Sequence, residues 1–183
     1  MQIKKVGVVG CGLMGSGIAQ VCAEAGYEVL VREVAQDLLD KGLKRIDGFL
    51  QKGVEKGKLA AERKAEVMGR LKGTTRVEDL GGCDLVIEVV TENLAVKREL
   101  FQALDKVCGP DTIYASNTSS LSVTEMAATT ARPTRFVGLH FFNPVPLMKL
   151  VEVVRSPLTD PAVFEAAYQF GRCLGKVPVK ATD

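Results

Sequence analysis

Short apolar runs alternate with longer amphipathic stretches along this chain. Lys4 to Val9 is apolar but too short for a helix, and it stops at Gly10. Helical spacing starts directly afterwards, with Ile18, Val21, Cys22 and Ala25 on one side. Gly26 is placed to close that helix, and Tyr27 to Glu33 reads as a second strand. Residues 35–71 are helical in pattern: Leu39, Leu43, Ile46 and Leu50 form a stripe, and Gly53 and Gly57 predict a turn into a second helix, Leu59 to Leu71. One crossover between parallel strands does not need two helices, so the pair is expected to be an insertion standing off the core. Thr74-Thr-Arg is a candidate short strand, followed by a connector with Gly81-Gly82. Asp84 to Val90 is a near-continuous apolar run, as in a parallel strand covered on both faces. A helix follows from Leu94 to Cys108 with Leu100, Phe101, Leu104 and Val107 inward, stopped by Gly109-Pro110.

Beyond that point the elements are shorter. Thr112 to Ser116 is the next strand, and Ser122 with Glu125 predicts a capping box on a short helix. Phe136 to Leu139 is a strand leading to the chain's only histidine, His140, and Lys149 to Val154 is another. Asp160-Pro161 opens a last helix with Val163, Phe164, Ala167, Phe170 and Leu174 on one side, and Val177 to Val179 reads as a final edge strand. Strands alternating with helices predict an α/β fold, a doubly wound and mostly parallel sheet with the helical pair inserted after the second strand. At 183 residues the chain is long enough for one domain with a real core, spanning 1–183, and short for two.

Composition narrows the class only a little. The net charge of +2 offers no general attraction to nucleic acid or to an anionic membrane, so any basic site must be local. No segment approaches the ~20 apolar residues of a membrane span. Met1-Gln-Ile-Lys-Lys runs straight into the first strand, which leaves no room for a signal peptide. The five cysteines show neither Cys-x-x-Cys nor metal spacing, and they read as reduced, mostly buried hydrophobes of a cytoplasmic protein.

The chemistry starts at Gly10, Gly12 and Gly15, a G-x-G-x-x-G between a strand and a helix. Gly10 allows the tight turn, Gly12 lets a pyrophosphate reach the backbone, and Gly15 lets helix and strand pack closely. The free N–H groups and positive dipole end of the helix then face the phosphates. Glu33 lies 23 residues after Gly10, where a dinucleotide-binding unit places an acid that bonds both ribose hydroxyls. A solvated glutamate at a strand end is the plainer alternative. The neighbouring Arg32 could attract a 2′-phosphate, but Glu33 would repel it, so NAD is favoured over NADP. Three polar clusters follow strands of the sheet: Glu92, then Asn117 to Ser120, then His140-Phe-Phe-Asn143. If the sheet is parallel there, they converge beside the nicotinamide. Hydride transfer at an alcohol carbon needs a base for the hydroxyl proton, and an imidazole suits that task. Glu152 on the next strand could hold its far nitrogen. Lone histidines are more often structural, and spacing alone does not bring His140 to Glu152. The lysines at 52, 56, 58 and 64 read by default as a solvated face.

Ser116-Asn-Thr-Ser-Ser-Leu121 and Gly138-Leu-His-Phe-Phe-Asn-Pro-Val-Pro-Leu-Met-Lys-Leu-Val-Glu152 resemble the 3-hydroxyacyl-CoA dehydrogenase family, of the 3-hydroxybutyryl type. Gly10-x-Gly-x-Met-Gly and Glu92-Asn-Leu-x-Val-Lys97 extend the resemblance over essentially the whole chain. It implies NAD-dependent oxidation of an L-3-hydroxyacyl-CoA to the 3-ketoacyl-CoA, or the reverse. On that pattern His140 is the base and Glu152 its partner, Ser119 binds the reacting oxygen, and Asn143 lies against nicotinamide and substrate. Gly10, Gly12, Leu13, Met14, Gly15, Glu33, Glu92, Lys97, Asn117 and Asn143 would hold the cofactor, with Glu92 and Lys97 at its ribose or nicotinamide part. A family lysine that meets CoA matches Lys56 first and Lys52 second. Glu33 departs from the aspartate of many relatives. The family also continues into an all-helical domain that completes the substrate site and forms a dimer. This chain stops at Asp183, near the expected junction, so it is expected to be the cofactor domain alone, able to bind NAD but poor in turnover, and needing that domain or self-association. Two rivals stand beside this reading: another hydroxyacid dehydrogenase of the same fold, such as the lysine-dependent 3-hydroxyisobutyrate type, and a non-catalytic NAD-binding module.

Overall fold

The structure, a computed structural model, describes residues 2–183. Its strands are β1 (Lys5–Val9), β2 (Glu28–Arg32), β3 (Leu71–Thr74), β4 (Leu85–Glu88), β5 (Ile113–Ser116), β6 (Phe136–Phe141), β7 (Leu150–Arg155) and β8 (Val177–Thr182). They form one sheet in the order β3-β2-β1-β4-β5-β6-β7-β8. Every neighbouring pair is parallel except β6 and β7. The helices are α1 (Leu13–Glu24), α2 (Gln36–Glu55), α3 (Ala61–Gly69), α4 (Leu94–Asp105), α5 (Val123–Ala128) and α6 (Pro161–Cys173). The doubly wound α/β sheet expected from the sequence is therefore present. The β6–β7 link is too short for a crossover helix, which explains the single antiparallel pair.

Alternate strand residues point into two separate apolar layers. Val6, Val8, Val29, Val31, Leu85, Ile87, Ile113, Ala115, Val137 and Leu139 meet α1, α2, α3 and α6 on one face. Val9, Leu30, Val86, Tyr114 and Phe136 meet α4 and α5 on the other. Burial on both faces is why the central strands read as continuous apolar runs. The strand order turns back between β1 and β4, which opens a crevice at their carboxyl ends.

Several expectations need correcting. The helical pair does not stand off the core: Leu39, Ile46, Leu50 and Val67 are buried in the first layer. Gly42 brings α2 so close to the glycine loop that a Cβ there would stand 2.1 Å from Cys11 Sγ. Leu71 belongs to β3, paired with Val29, so α3 ends at Gly69 and the short strand runs over Leu71–Thr74, sharing only Thr74 with the expected Thr74–Arg76. The run Asp84 to Val90 leaves the sheet at Glu88, and α4 ends at Asp105, three residues short of Cys108. Ser122 caps α5 by accepting from Glu125 N–H at 3.1 Å, but Glu125 pairs with Arg98 at 3.3 Å instead of closing a box. Lys64 is no free surface lysine, since it bonds Gln51 at 2.9 Å and Asp47 at 2.8 Å. Cys11, Cys22, Cys83 and Cys108 are buried and Cys173 is exposed.

Candidate active site

The sheet brings the three polar clusters to one place. A cleft of about 390 Å³ is lined by Met14, Val89, Val90, Glu92, Lys97, Asn117, Ser119, His140, Phe141, Phe142 and Asn143. Because β4, β5 and β6 are parallel, the residues at their carboxyl ends share one edge. His140 lies within β6 and not beyond it, directly opposite Glu152 in the β6–β7 register. The side chains of such a pair project from the same face, and His140 Nδ1 stands 2.7 Å from Glu152 Oε2. The dyad that spacing left open thus exists. With its Nδ1–H given to the carboxylate, the ring keeps Nε2 as an acceptor. The Phe142 ring lies 4.5 Å from the imidazole, centroid to centroid. Asn117 Oδ1 accepts from Phe141 N–H at 2.8 Å, which ties the end of β5 to β6 and leaves the amide NH₂ as donor.

The glycine loop has the form that a dinucleotide needs. Gly10 has φ +98°, and a Cβ there would meet Val89 O at 2.6 Å; a Cβ on Gly15 would meet Gly10 O at 1.8 Å. Nothing lies within 4 Å of the position a Cβ would take at Gly12. Helix α1 starts there with no side-chain cap and no acid in its first turn, so its N–H groups are left for an anion. Glu33, just past β2, accepts from Cys11 N–H at 2.6 Å and from Val34 N–H at 3.0 Å. Its carboxylate is thereby held beside the loop with lone pairs to spare. Leu13 lines a small hollow with Arg45, Phe49, Asn143 and Val145 that shares Asn143 with the cleft that holds Met14. Arg45 reaches from α2 to Cys11 O at 3.3 Å, bracing the loop from outside. Burial first, then the Glu33 charge, push the Cys11 thiol up to about 11, so this loop cysteine stays protonated. Lys52 and Lys56 are exposed at the end of α2.

Lys97 and Glu92 are brought together in an arrangement that the sequence does not announce. Lys97 Nζ is buried between Glu88 Oε1 at 2.6 Å and Glu92 Oε2 at 3.1 Å. Glu92 Oε1 accepts from Thr118 Oγ1 and from Ser119 N–H, the latter at 3.0 Å. Partial burial alone would raise the Glu92 carboxyl, but the Thr118, Ser119 and Lys97 donors outweigh it and hold the group below its ordinary value. Glu88 escapes a reading by sequence because it sits inside an apolar run. A charged residue in a strand covered on both faces, followed by a lysine nine residues later, is the signal that could have found it.

Residues 5–183 match the family described as 3-hydroxyacyl-CoA dehydrogenase, NAD binding domain. The chain is 48% identical over 181 residues to the 3-hydroxybutyryl-CoA dehydrogenase of Bradyrhizobium diazoefficiens, covering 99% of this chain and 62% of the relative. It is 44% identical over 179 residues to the Clostridioides difficile protein of the same name, covering 98% of this chain and 64% of the relative. The chain thus spans a little under two thirds of the curated relatives it matches. Among solved structures, (S)-3-hydroxybutyryl-CoA dehydrogenase from Ralstonia eutropha superposes with a TM-score of 0.97 at 41% identity, over 100% of this chain and 64% of that one.

Proposed function

The chain belongs to the 3-hydroxyacyl-CoA dehydrogenase family through that family's NAD-binding domain, and on that premise we propose that it transfers hydride between NAD and a 3-hydroxyacyl-CoA, with His140 as the base. The observation that carries the reading is the 2.7 Å contact between His140 Nδ1 and Glu152 Oε2 on the wall of the cleft. Oxidising a secondary alcohol removes a hydride from carbon and a proton from oxygen. NAD, when bound, takes the hydride. Gly12 and the open end of α1 receive its pyrophosphate, and Glu33 accepts from the adenosine ribose hydroxyls. Glu92 and Asn117 contact its ribose or nicotinamide part, with Lys97 behind Glu92.

The other residues handle the proton and the oxygen. His140 Nε2 takes the hydroxyl proton, and Glu152 fixes the tautomer and stabilises the imidazolium that forms. Ser119 donates to the reacting oxygen, and Asn143 lies against both nicotinamide and substrate. Lys56, then Lys52, meet the CoA phosphates. The cleft is open, and Leu147, Met148, Leu150, Val177 and Val179 remain exposed near it in the chain or on the edge strand. We assign these to contact with a helical domain of the kind that the resemblance implies. Residues 1–183 alone therefore bind NADH but position the substrate poorly, and positioning is worth ~7–11 kcal/mol of barrier.

The test is to follow NADH oxidation with acetoacetyl-CoA and with free acetoacetate. The thioester should react and the free acid should not, and activity should rise when a helical domain from a relative is supplied. Equal use of both would point to another hydroxyacid dehydrogenase. Turnover by the 183 residues alone within the usual ~1–10³ s⁻¹ would contradict the positioning argument.

A further inference from the structure

Glu88 and Lys97 are the charged side chains that are buried among the described residues, at 0% and 1% exposure. Burying charge is costly, and an apolar pair of similar volume would often be as stable. Their contacts suggest what the charge is for. Glu88 Oε1 accepts from Val90 N–H at 2.7 Å and Lys97 Nζ at 2.6 Å, and Oε2 accepts from Ser116 Oγ at 2.6 Å. Lys97 Nζ continues to Glu92 Oε2 at 3.1 Å. Glu92 Oε1 takes the Thr118 hydroxyl and the Ser119 N–H, and Thr118 N–H returns to Ser116 Oγ at 3.3 Å. The contacts close into a ring joining the ends of β4 and β5 to α4. Two carboxylates share one ammonium, so the ring is not a neutral pair. Its surplus charge rests on Glu92, which is 40% exposed in side chain and lines the cleft.

We infer that Glu88 is a positioning residue, acting through Lys97 and Ser116 to fix Glu92 and the Thr118–Ser119 turn. The inference rests on the proposed roles of Glu92 at the cofactor and Ser119 at the substrate oxygen. Glu88 touches neither ligand. It acts from both sides: the Lys97 route sets the Glu92 carboxylate and, through it, Ser119 N–H, while the Ser116 route sets Thr118 N–H. Three donors from three directions fix the carboxylate more tightly than charge balance requires.

Charge and position separate in Glu88→Asp, which keeps the carboxylate but draws it back by one methylene. NADH affinity is read by fluorescence titration, the amide resonances of Thr118 and Ser119 by NMR, and the fold by calorimetry. Glu88→Asp should fold, shift both amides and weaken NADH about tenfold, the scale of a lost bond to a charged group. Glu88→Gln should weaken it further. Wild-type amide positions and affinity within about twofold in Glu88→Asp would mean that Glu88 only balances Lys97, and would overturn the proposal. If Glu88→Gln does not fold, Glu88→Asp decides alone. If the unmutated chain binds no NADH, the dehydrogenase reading fails, while the two amides in Glu88→Asp still report whether the ring transmits position.

Discussion

Glu33 turns its two oxygens to two different backbone donors, Cys11 N–H and Val34 N–H, so the carboxylate cannot swing away from the glycine loop. In the proposed role, a fixed negative charge there would accept from ribose hydroxyls and repel a 2′-phosphate. Calorimetric titration should give NADH at least about tenfold tighter than NADPH, because NADH forms a charge-assisted hydrogen bond where NADPH meets a repulsion. Glu33→Ala should narrow that gap, and equal affinities in the unmutated chain would contradict the assignment. The place of Glu33 beside the glycine loop is legible in the sequence because the strand-turn-helix unit fixes its spacing from Gly10. Asn117 is legible as part of a polar cluster, but not its bond to Phe141 N–H, which crosses from one strand to the next. Glu88 leaves only a faint signal, a charge inside an apolar strand with a lysine nine residues on, because the value of that acid depends on where Lys97 ends up.

At the scale of elements, α2 shows which questions periodicity answers. The stripe Leu39, Leu43, Ile46, Leu50 marks the helix, but a stripe does not say what it faces. It faces the core, and Gly42 and Gly48 in that helix behave oppositely. A Cβ at Gly42 would collide with Cys11 Sγ at 2.1 Å and Cys11 O at 2.5 Å, whereas nothing lies within 4 Å at Gly48. Gly48→Ala should stabilise by ~0.5–1 kcal/mol through helix propensity. That raises the melting temperature by about 1–4 °C for a domain of this size. Gly42→Ala should destabilise by ~1–3 kcal/mol through overpacking, and should weaken NADH because the displaced atoms belong to the loop. Calorimetry and titration of both variants check this; the same sign of stability change in both would refute the packing account. Leu71 is ambiguous in sequence for a related reason, since one apolar residue fits either the last turn of a helix or the first position of a strand. The β6–β7 pair is readable in outline, but only the antiparallel register sets His140 opposite Glu152.

Across the whole molecule, two surface carboxylates join elements distant in sequence. Glu92 joins α4 to the turn after β5, and Asp183 accepts from Val123 N–H at 3.0 Å and Thr124 N–H at 2.7 Å, fastening the end of β8 to α5. In both groups partial burial is outweighed by donors, and the folded value lies below the ordinary 4.5 and 3.8 respectively. A lowered value means a contribution that is full above the ordinary one and lost as pH falls through the folded one. Melting temperature should therefore decline as pH is lowered below ~4.5. Glu92→Gln with Asp183→Asn should melt lower than the unmutated chain at about pH 6, where both carboxylates are ionised, and decline less steeply on acidification. Parallel pH profiles for the two proteins would contradict these assignments. The central claim is that a histidine oriented by a carboxylate moves the proton beside a bound NAD. It is tested most directly by single-turnover stopped flow, with the chain in excess, preloaded with NADH and mixed with acetoacetyl-CoA. Oxidation by the unmutated chain should be slow but measurable, at less than about 1 s⁻¹. His140→Gln should slow it by roughly 10²–10⁴-fold, Glu152→Gln should slow it too, and the double variant should be little worse than the worse single, because coupled groups are not additive. An unchanged rate in His140→Gln, fully additive losses, or no oxidation by the unmutated chain would each contradict the account.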